Sequence, residues 1–331
     1  MCDALKAVTA ADDYCRAEPY VIRETPYWAA VYKPPRLPTA PLRAEERNTL
    51  VYWFLHTRFT GQPYLSGGGQ GDTLSAEQSR AAQVRGRKAI EAGLMHRLDT
   101  ETRGVVLFAK DQQTYDFLFA QQQTGRIIKT YYAFVEPGLN TASGISDSAV
   151  LSDIDIFSGF TAPYRRETVS LPYTVISQFR NFGPGAKRVA PVFSGSRHYK
   201  RDGRLYTTVV ETVTVLSGPK APLIRVRCRL AQGYRHQIRA HLASLGMPIV
   251  GDPLYRLQKN GTASRSNALL HRDALPVSEP RSLSSTAFLP DPDLCAVRGL
   301  QLYATGLSFP DPENPRRNIC VALPPPDKMN P

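Results

Sequence analysis

The run Gly104 to Ala109, GVVLFA, contains no polar residue. A stretch of that length and character is a strand buried on both faces, so a second layer must cover each side of the sheet that holds it. A polar, charged loop, Met95 to Thr102, leads into it, and Asp111 can cap a helix directly after it, carrying Tyr115, Leu118 and Phe119 and stopping at Gly125. Ile127 to Val135 reads as the next strand, closed by Pro137-Gly138. Strand, short helix and strand imply a layered organisation of mixed class, without fixing strand directions.

The rest of the chain follows the same grammar. YWAAVY (Tyr27 to Tyr32) is a short buried strand stopped by Lys33-Pro34-Pro35 and a proline-marked loop through Pro41. Asn48 can cap a helix starting near Thr49, with Leu50, Trp53 and Phe54 on one face. Residues 60–73 are glycine-rich, but no Gly-x-x-x-x-Gly-Lys spacing is present, so they read as a flexible loop and not a phosphate cradle. Leu205 to Leu216 and Leu223 to Leu230 form paired strands around a turn at Gly218-Pro219. A helix follows Gly233, burying Ile238, Leu242 and Leu245 and stopping at Gly246, and Gln301 to Phe309 is a last strand before a proline-rich tail. Residues 138–204 are loop-rich and basic, and residues 257–299 are rich in Ser, Pro and charge; both read as insertions.

Composition narrows the function classes. The 331 residues carry a formal net charge of +12, which suits an anionic partner, nucleic acid being the commonest, or else reflects only a basic surface. In 138–204 the cations are interleaved with Phe157, Phe160, Tyr164, Tyr173, Phe179, Phe182 and Tyr199, a texture that suits RNA or an ordinary β-rich insertion with a solvated face. No apolar run is long enough to span a bilayer, and the first twenty residues, with Asp3, Asp12 and Asp13, lack a secretory h-region and read as a loose tail. A cytoplasmic location is expected. The five cysteines are scattered and show no Cys-x-x-Cys pair, which fits neither a disulfide framework nor a zinc site.

Two segments concentrate chemistry. In MHRLDTETRGVVLFAK, Asp99 sits in a polar loop ahead of the buried strand with Arg97 two positions before it. Such an Asp can be a nucleophile, an acid/base group, or a turn brace. In QGYRHQIRAHLASLGMPIVGDPLY, Arg235, His236 and Arg239 fall on neighbouring turns of one helix, so their heads can converge. His236 and His241 are five apart and lie on different faces, which argues against a metal pair.

Together these segments resemble the RluA-type (RsuA/RluA-like) pseudouridine synthase family. HRLDTETRGVVLFAK resembles H-R-L-D-x-x-T-S-G followed by an apolar strand; RIIKTYYAFV (Arg126 to Val135) resembles Lys-x-Tyr-x-Ala; GYRHQIRAHLASLGMPIVGDPLY resembles G-R-T-H-Q-I-R-x-H-L followed by G-x-P-I-x-G-D-x-x-Y. Weaker similarities are AVYKPPRLPTAP (Ala30 to Pro41) to an opening strand with K-P-x-G-x-x-x-x-P, and LYATGLSFPDP (Leu302 to Pro312) to L-H-A-x-x-L-x-F-x-H-P. The matches come in family order.

The resemblance implies an α+β fold with one mixed, largely antiparallel twisted sheet, flanking helices and a central active-site cleft. It implies a single catalytic domain over 21–326, with insertions near 138–204 and 257–299 and no accessory RNA-binding domain before it. The implied reaction turns a uridine in RNA into pseudouridine without metal or organic cofactor, on ribosomal or transfer RNA with a lean to ribosomal, by a monomer. Asp99 matches the catalytic aspartate, Tyr131 the tyrosine that stacks on the flipped base, Arg239 the cation paired with the aspartate, and Arg97 the residue that takes the displaced base's place. His96, Arg235, His236 and Gln237 are implied neighbours that contact RNA or brace the site. The chain departs from the pattern at Arg103, Tyr234, Tyr303 and Asp311. Competing readings are a catalytically degenerate RNA-binding or assembly module of the same fold, and a glycosidase-like acid pair of Asp99 and Glu101.

Overall fold

A computed structural model describes residues 18–56, 83–135, 168–216, 223–255 and 299–327. The fold is α+β, and among the described residues it has ten strands in mixed, mostly antiparallel pairings and few helices. The chain divides into two compact units, Met1–Tyr132 with Arg229–Gln232 and Leu302–Pro331, and Ala133–Cys228 with Gly233–Gln301.

The first unit is built around the apolar run. Strand β3 (Arg103–Ala109) is buried at every position, and so is β2 (Trp28–Lys33), its antiparallel neighbour. β1 (Tyr20–Glu24) pairs with the far edge of β2. β4 (Ile128–Val135) begins in this unit, where Lys129 and Tyr131 point to one buried face, as the two-residue period of a strand requires. Helix α1 (Leu50–Leu55) covers β3 through Phe54, whose ring stacks on Phe108 at 4.1 Å. Helix α2 (Gln112–Gln123) lies against the same strand, capped by Asp111, whose carboxylate accepts from the Thr114 N–H.

The second unit carries β5 (Thr168–Phe182), β6 (Arg188–Val192) and β7 (Tyr206–Leu216), with β5 antiparallel to both of the others. β8 (Leu223–Leu230) neighbours β7, and helix α3 (Gln237–Ser244) contacts β6 and β7. The last strands return to the first unit. β9 (Leu302–Pro310) runs parallel to β3, and β10 (Asn318–Ala322) pairs antiparallel with β9.

Several expectations need correcting. Thr49 caps α1, not Asn48: its hydroxyl accepts from the Tyr52 N–H at 3.1 Å. The basic stretch 138–204 is not loop-rich in its described part, since from residue 168 it is dominated by β5 and β6, the β-rich alternative. Edge strands β1 and β10 went unread, because short edge segments show their nature only beside a partner. Cys320 is disulfide-bonded, and Cys228 is free and buried. The glycine-rich loop, the turn at Gly218-Pro219 and the 257–299 insertion, apart from Gly299, also lie outside the described residues. No described helix is long and apolar enough to cross a membrane.

Gly104 lies where two strand backbones come very close. It pairs in register with Ala304 of β9 at a φ of +130°, and a Cβ there would stand 2.0 Å from the Ala304 carbonyl oxygen. Gly104→Ala is expected to destabilise the first unit by about 3 kcal/mol or more, because β3 and β9 must separate to admit the methyl. Urea unfolding of the variant beside the wild type measures this, and an unchanged midpoint would refute it.

Candidate active site

Asp99 is half-buried, and residues from the distant 33–41 loop hold it on both sides. The Thr39 hydroxyl donates to the Leu98 carbonyl at 2.7 Å and accepts from the Leu98 N–H at 3.1 Å. The Lys33 ammonium, itself fully buried, donates to the carbonyls of Thr100, Leu37 and Pro34 at 3.0, 2.7 and 2.9 Å. A turn bond from the Thr102 N–H to the Asp99 carbonyl closes the loop at 3.0 Å. The residue before Asp99 and the residue after it are thus fastened to one rigid strand end. Sequence reading took Lys33 only as a strand stop. Burial lowers its pKa to about 7, while the nearby charges of Asp99 and Glu101 oppose that shift and Arg103 reinforces it. Arg36 occupies the glycine position of the K-P-x-G resemblance, at a φ of +65°.

Tyr131 is buried on β4. Burial first, and the charge of Asp99 second, raise its pKa, so its phenol stays protonated. That coupling puts Tyr131 within the electrostatic reach of Asp99. His96 is turned into the fold: its Nε2 accepts the Leu107 N–H at 3.3 Å, and burial, with Lys129 and Arg87 adding to it, keeps the ring neutral. Arg97 points outward, its side chain 58% exposed, with Nη1 3.5 Å from the buried Glu91 carboxylate.

Two departures from the family pattern form a matched pair. Arg103 and Tyr303 are register partners across β3 and β9, both buried, and the guanidinium carbon lies 5.3 Å from the centre of the tyrosine ring. A cation replacing a small hydroxyl residue is accommodated by an aromatic face where the pattern has histidine.

In the second unit, Arg239 makes a bidentate ion pair with Asp252, Nε to Oδ2 at 2.7 Å and Nη2 to Oδ1 at 2.9 Å, with 5% and 0% of the side chains exposed. Asp252 Oδ1 also accepts the N–H groups of Leu254 and Tyr255, and the Arg239 guanidinium lies over the Tyr255 ring at 5.4 Å. Asp252, three residues before the end of the third motif, was not read from the sequence as a site residue, although the G-D-x-x-Y signal was there.

The expected convergence of Arg235, His236 and Arg239 is only partial. His236 and Arg239 both meet Tyr255, His236 through Nδ1 at 3.3 Å from the phenol oxygen. Arg235 leaves in another direction, donating to Asn181 Oδ1 at 3.1 Å and to the carbonyls of Ala186 and Arg188 at 2.6 and 3.3 Å. The reason is that α3 begins only at Gln237, with His236 at a φ of +56°, so the residues before it are not on the helix. Gln237 is buried and bridges the Tyr234 N–H to the Thr207 carbonyl and the Thr208 hydroxyl of β7. Tyr234, a further departure, stacks flat on Phe179 of β5 at 4.9 Å. His241 stands between the Ser177 and Thr208 hydroxyls at 2.8 and 2.9 Å, and burial lowers its pKa to about 3. Among the described residues no cluster of His, Cys, Asp and Glu could hold a metal ion.

Comparison with known proteins gives this arrangement a setting. The chain is 30% identical over 207 residues to an uncharacterized RNA pseudouridine synthase, YhcT, of Bacillus subtilis (strain 168), covering 62% of this chain and 53% of the relative. It is 27% identical over 211 residues to the ribosomal large subunit pseudouridine synthase D of Nitrosomonas europaea, covering 63% of this chain and 48% of that protein. The chain therefore spans about half the length of the curated relatives it matches. The solved structure of human RNA pseudouridylate synthase domain containing 1 aligns at a TM-score of 0.46 and 16% identity, over 93% of this chain and 84% of the other. The family model described as RNA pseudouridylate synthase matches residues 27–244, a span holding the Lys33 loop, Asp99, Tyr131 and Arg239, and the chain belongs to that family.

Proposed function

We propose that the chain isomerises a specific uridine in structured RNA to pseudouridine, ribosomal RNA being favoured over transfer RNA. The observation that carries this reading is the Asp99 loop, in which the backbone on either side of the aspartate is held by Lys33 and Thr39 and a protonated tyrosine lies in the aspartate's electrostatic field. A carboxylate fixed in this way can add to a uridine that has been flipped out of its stack, an event that costs a few kcal/mol and is cheapest in a loop or bulge. In the isomerisation the N1–C1′ bond breaks, the base turns, C5 bonds to C1′, and the proton leaving C5 is balanced by one gained at N1. The two units act together in this reading as one catalytic domain.

Each candidate has a task. Asp99 supplies the nucleophile. Tyr131, kept neutral by burial, offers a ring face to the flipped base and an O–H donor; its protonated state favours stacking over acceptance of the C5 proton. Arg239, held in a bidentate pair by Asp252, is the fixed cation of the third motif. Arg97, on the surface ahead of Asp99, enters the space the base leaves. His96 and Gln237 brace the two motifs from inside, and Arg235 and His236 brace the lead-in to α3. The reaction requires neither metal nor organic cofactor, and a cytoplasmic monomer suffices for it. The lean toward ribosomal RNA draws support from the ribosomal relatives in Nitrosomonas europaea and Pseudomonas aeruginosa. The alternative, a degenerate RNA-binding module, would not need so firmly held an aspartate.

Mapping pseudouridines in total RNA with and without the gene tests the function and names the target together. Asp99→Asn is expected to fold and to bind RNA within about twofold of the wild type, while pseudouridine formation falls by roughly a thousandfold or more. Full activity in that variant would overturn the assignment.

Lys33 supplies a pH signature of the same site. Its folded pKa lies below its unfolded value of 10.5, so the unfolded chain holds the extra proton between about pH 7 and 10.5, and stability due to this group rises with pH across that window. Below about pH 7 both states are protonated and the full burial penalty of the cation remains. Relative to Lys33→Met, the wild type is therefore expected to gain on the order of 1 kcal/mol per pH unit above pH 7. Denaturant titrations at several pH values check this; parallel curves for the two proteins would show that Lys33 does not titrate there.

A further inference from the structure

The β5–β6 hairpin has two faces of opposite character. Alternation along β5 sends Ser177, Phe179 and Asn181 one way and Ile176, Gln178, Arg180 and Phe182 the other. The first set meets α3 and the residues before it: Ser177 on His241, Phe179 on Tyr234, and Asn181 on Arg235. Tyr255 adds a further tie, its hydroxyl accepting the Val189 N–H and donating to the Val189 carbonyl. The hairpin is thereby fastened to the motif that carries Arg239.

The other face is cationic. Arg180 and Arg188 both lie over the Phe182 ring, at 5.4 and 5.0 Å from its centre, and Phe182 pairs in register with Arg188. Gln178, on the same face, clamps the following loop, donating to the Lys200 and Gly203 carbonyls and accepting the Lys200 N–H. That clamp brings the exposed Lys200 and Arg201 to the Gln178 end of the hairpin, while the exposed Lys187 stands in the turn at its other end. Between residues 168 and 201 stand Arg180, Lys187, Arg188, Arg197, Lys200 and Arg201, and no Asp or Glu.

We propose that this outer face of the β5–β6 hairpin is an RNA-docking arm that grips the phosphate backbone of a structured RNA through Arg180 and Arg188. The proposal rests on the function proposed above and names how the substrate is held. Both guanidiniums lie over the Phe182 ring, which orders the two arginines and leaves their N–H edges for phosphate oxygens. Backbone contact without base readout selects shape and charge, not sequence. Because the opposite face is tied to Arg235 and Tyr255, RNA held by the arm is registered against the helix of Arg239.

The test uses the full chain and a fluorescein-labelled RNA stem–loop with uridines in its loop, with anisotropy read across a series of KCl concentrations. Arg180→Gln/Arg188→Gln is expected to bind at least about tenfold more weakly, with a salt slope shallower by about 0.7–0.9 for each phosphate that is no longer neutralised. On reactive RNA its KM rises while kcat stays within about twofold. The control Lys88→Gln/Arg316→Gln, equal in charge change and exposed in the first unit, keeps wild-type affinity. Should the double variant melt early, Lys187→Glu at the exposed turn replaces it, with the same weakening expected. Binding equal to the control, an unchanged salt slope, or a weakening seen only on anionic vesicles and not on RNA would each overturn the arm. If the wild type makes no pseudouridine yet the arm variant fails to hold the stem–loop, the arm stands and the catalytic reading falls. If the wild type is active and the variant equally so, the arm falls alone.

Discussion

A buried ammonium at the end of β2 sets the position of the Asp99 loop. Lys33 is fully shielded from solvent, so its N–H groups must be satisfied by the protein. Three carbonyls do this, two from its own loop and one from Thr100, and the last of these ties the opening segment of the chain to the loop that holds Asp99. A single long side chain thus joins two segments far apart in sequence. Thr39 adds the matching pair of bonds on the other side of Asp99, so the loop cannot move without breaking buried hydrogen bonds. The depressed basicity of Lys33 is the price of this placement, and it is also what makes the loop sensitive to pH near neutrality.

The matched change at Arg103 and Tyr303 follows from the same crowding. β3 and β9 run so close at Gly104 that no side chain fits there, and the residue before it has no freedom to turn outward. An arginine at that position needs a polarisable surface inside the core, and Tyr303, directly across the parallel pair, provides one. The two departures from the family pattern are therefore one substitution in physical terms, and they leave the Asp99 loop in place.

Asp99, Tyr131, Arg239 and the strand behind them were legible because contiguous motifs carry them. The supports were not, for reasons of distance and register. Lys33 beside two prolines reads as punctuation until the strand end is seen to point inward. Asp252 gains its meaning only when the turn after α3 brings it back to Arg239. Arg235 reads as a helix-face cation because the pattern does not reveal that His236 adopts a left-handed conformation and delays the helix start to Gln237. The described part of the basic stretch, 168–204, hid its strands behind polar and aromatic composition, since a face bearing Arg180, Phe182 and Arg188 looks like loop until Ser177, Phe179 and Asn181 are seen to meet His241, Tyr234 and Arg235 on the other side.

The surplus of positive charge divides along the same line. Lys33, Arg103, Lys129 and Arg239 are buried, and each is matched to a carbonyl, a ring or a carboxylate of the fold, so none of them serves a distant anion. Burial makes these cations costly, and they persist where they position a loop, a strand or a helix. The cations on the outer face of the β5–β6 hairpin are partly or fully exposed, and no carboxylate is interspersed among them. Exposed like charges repel at modest cost in water, and that cost is offset only when an anion arrives. The buried cations serve the geometry of the fold, whereas those of the β5–β6 hairpin remain open to an arriving anion, so positioning the aspartate and answering a polyanion fall to different residues.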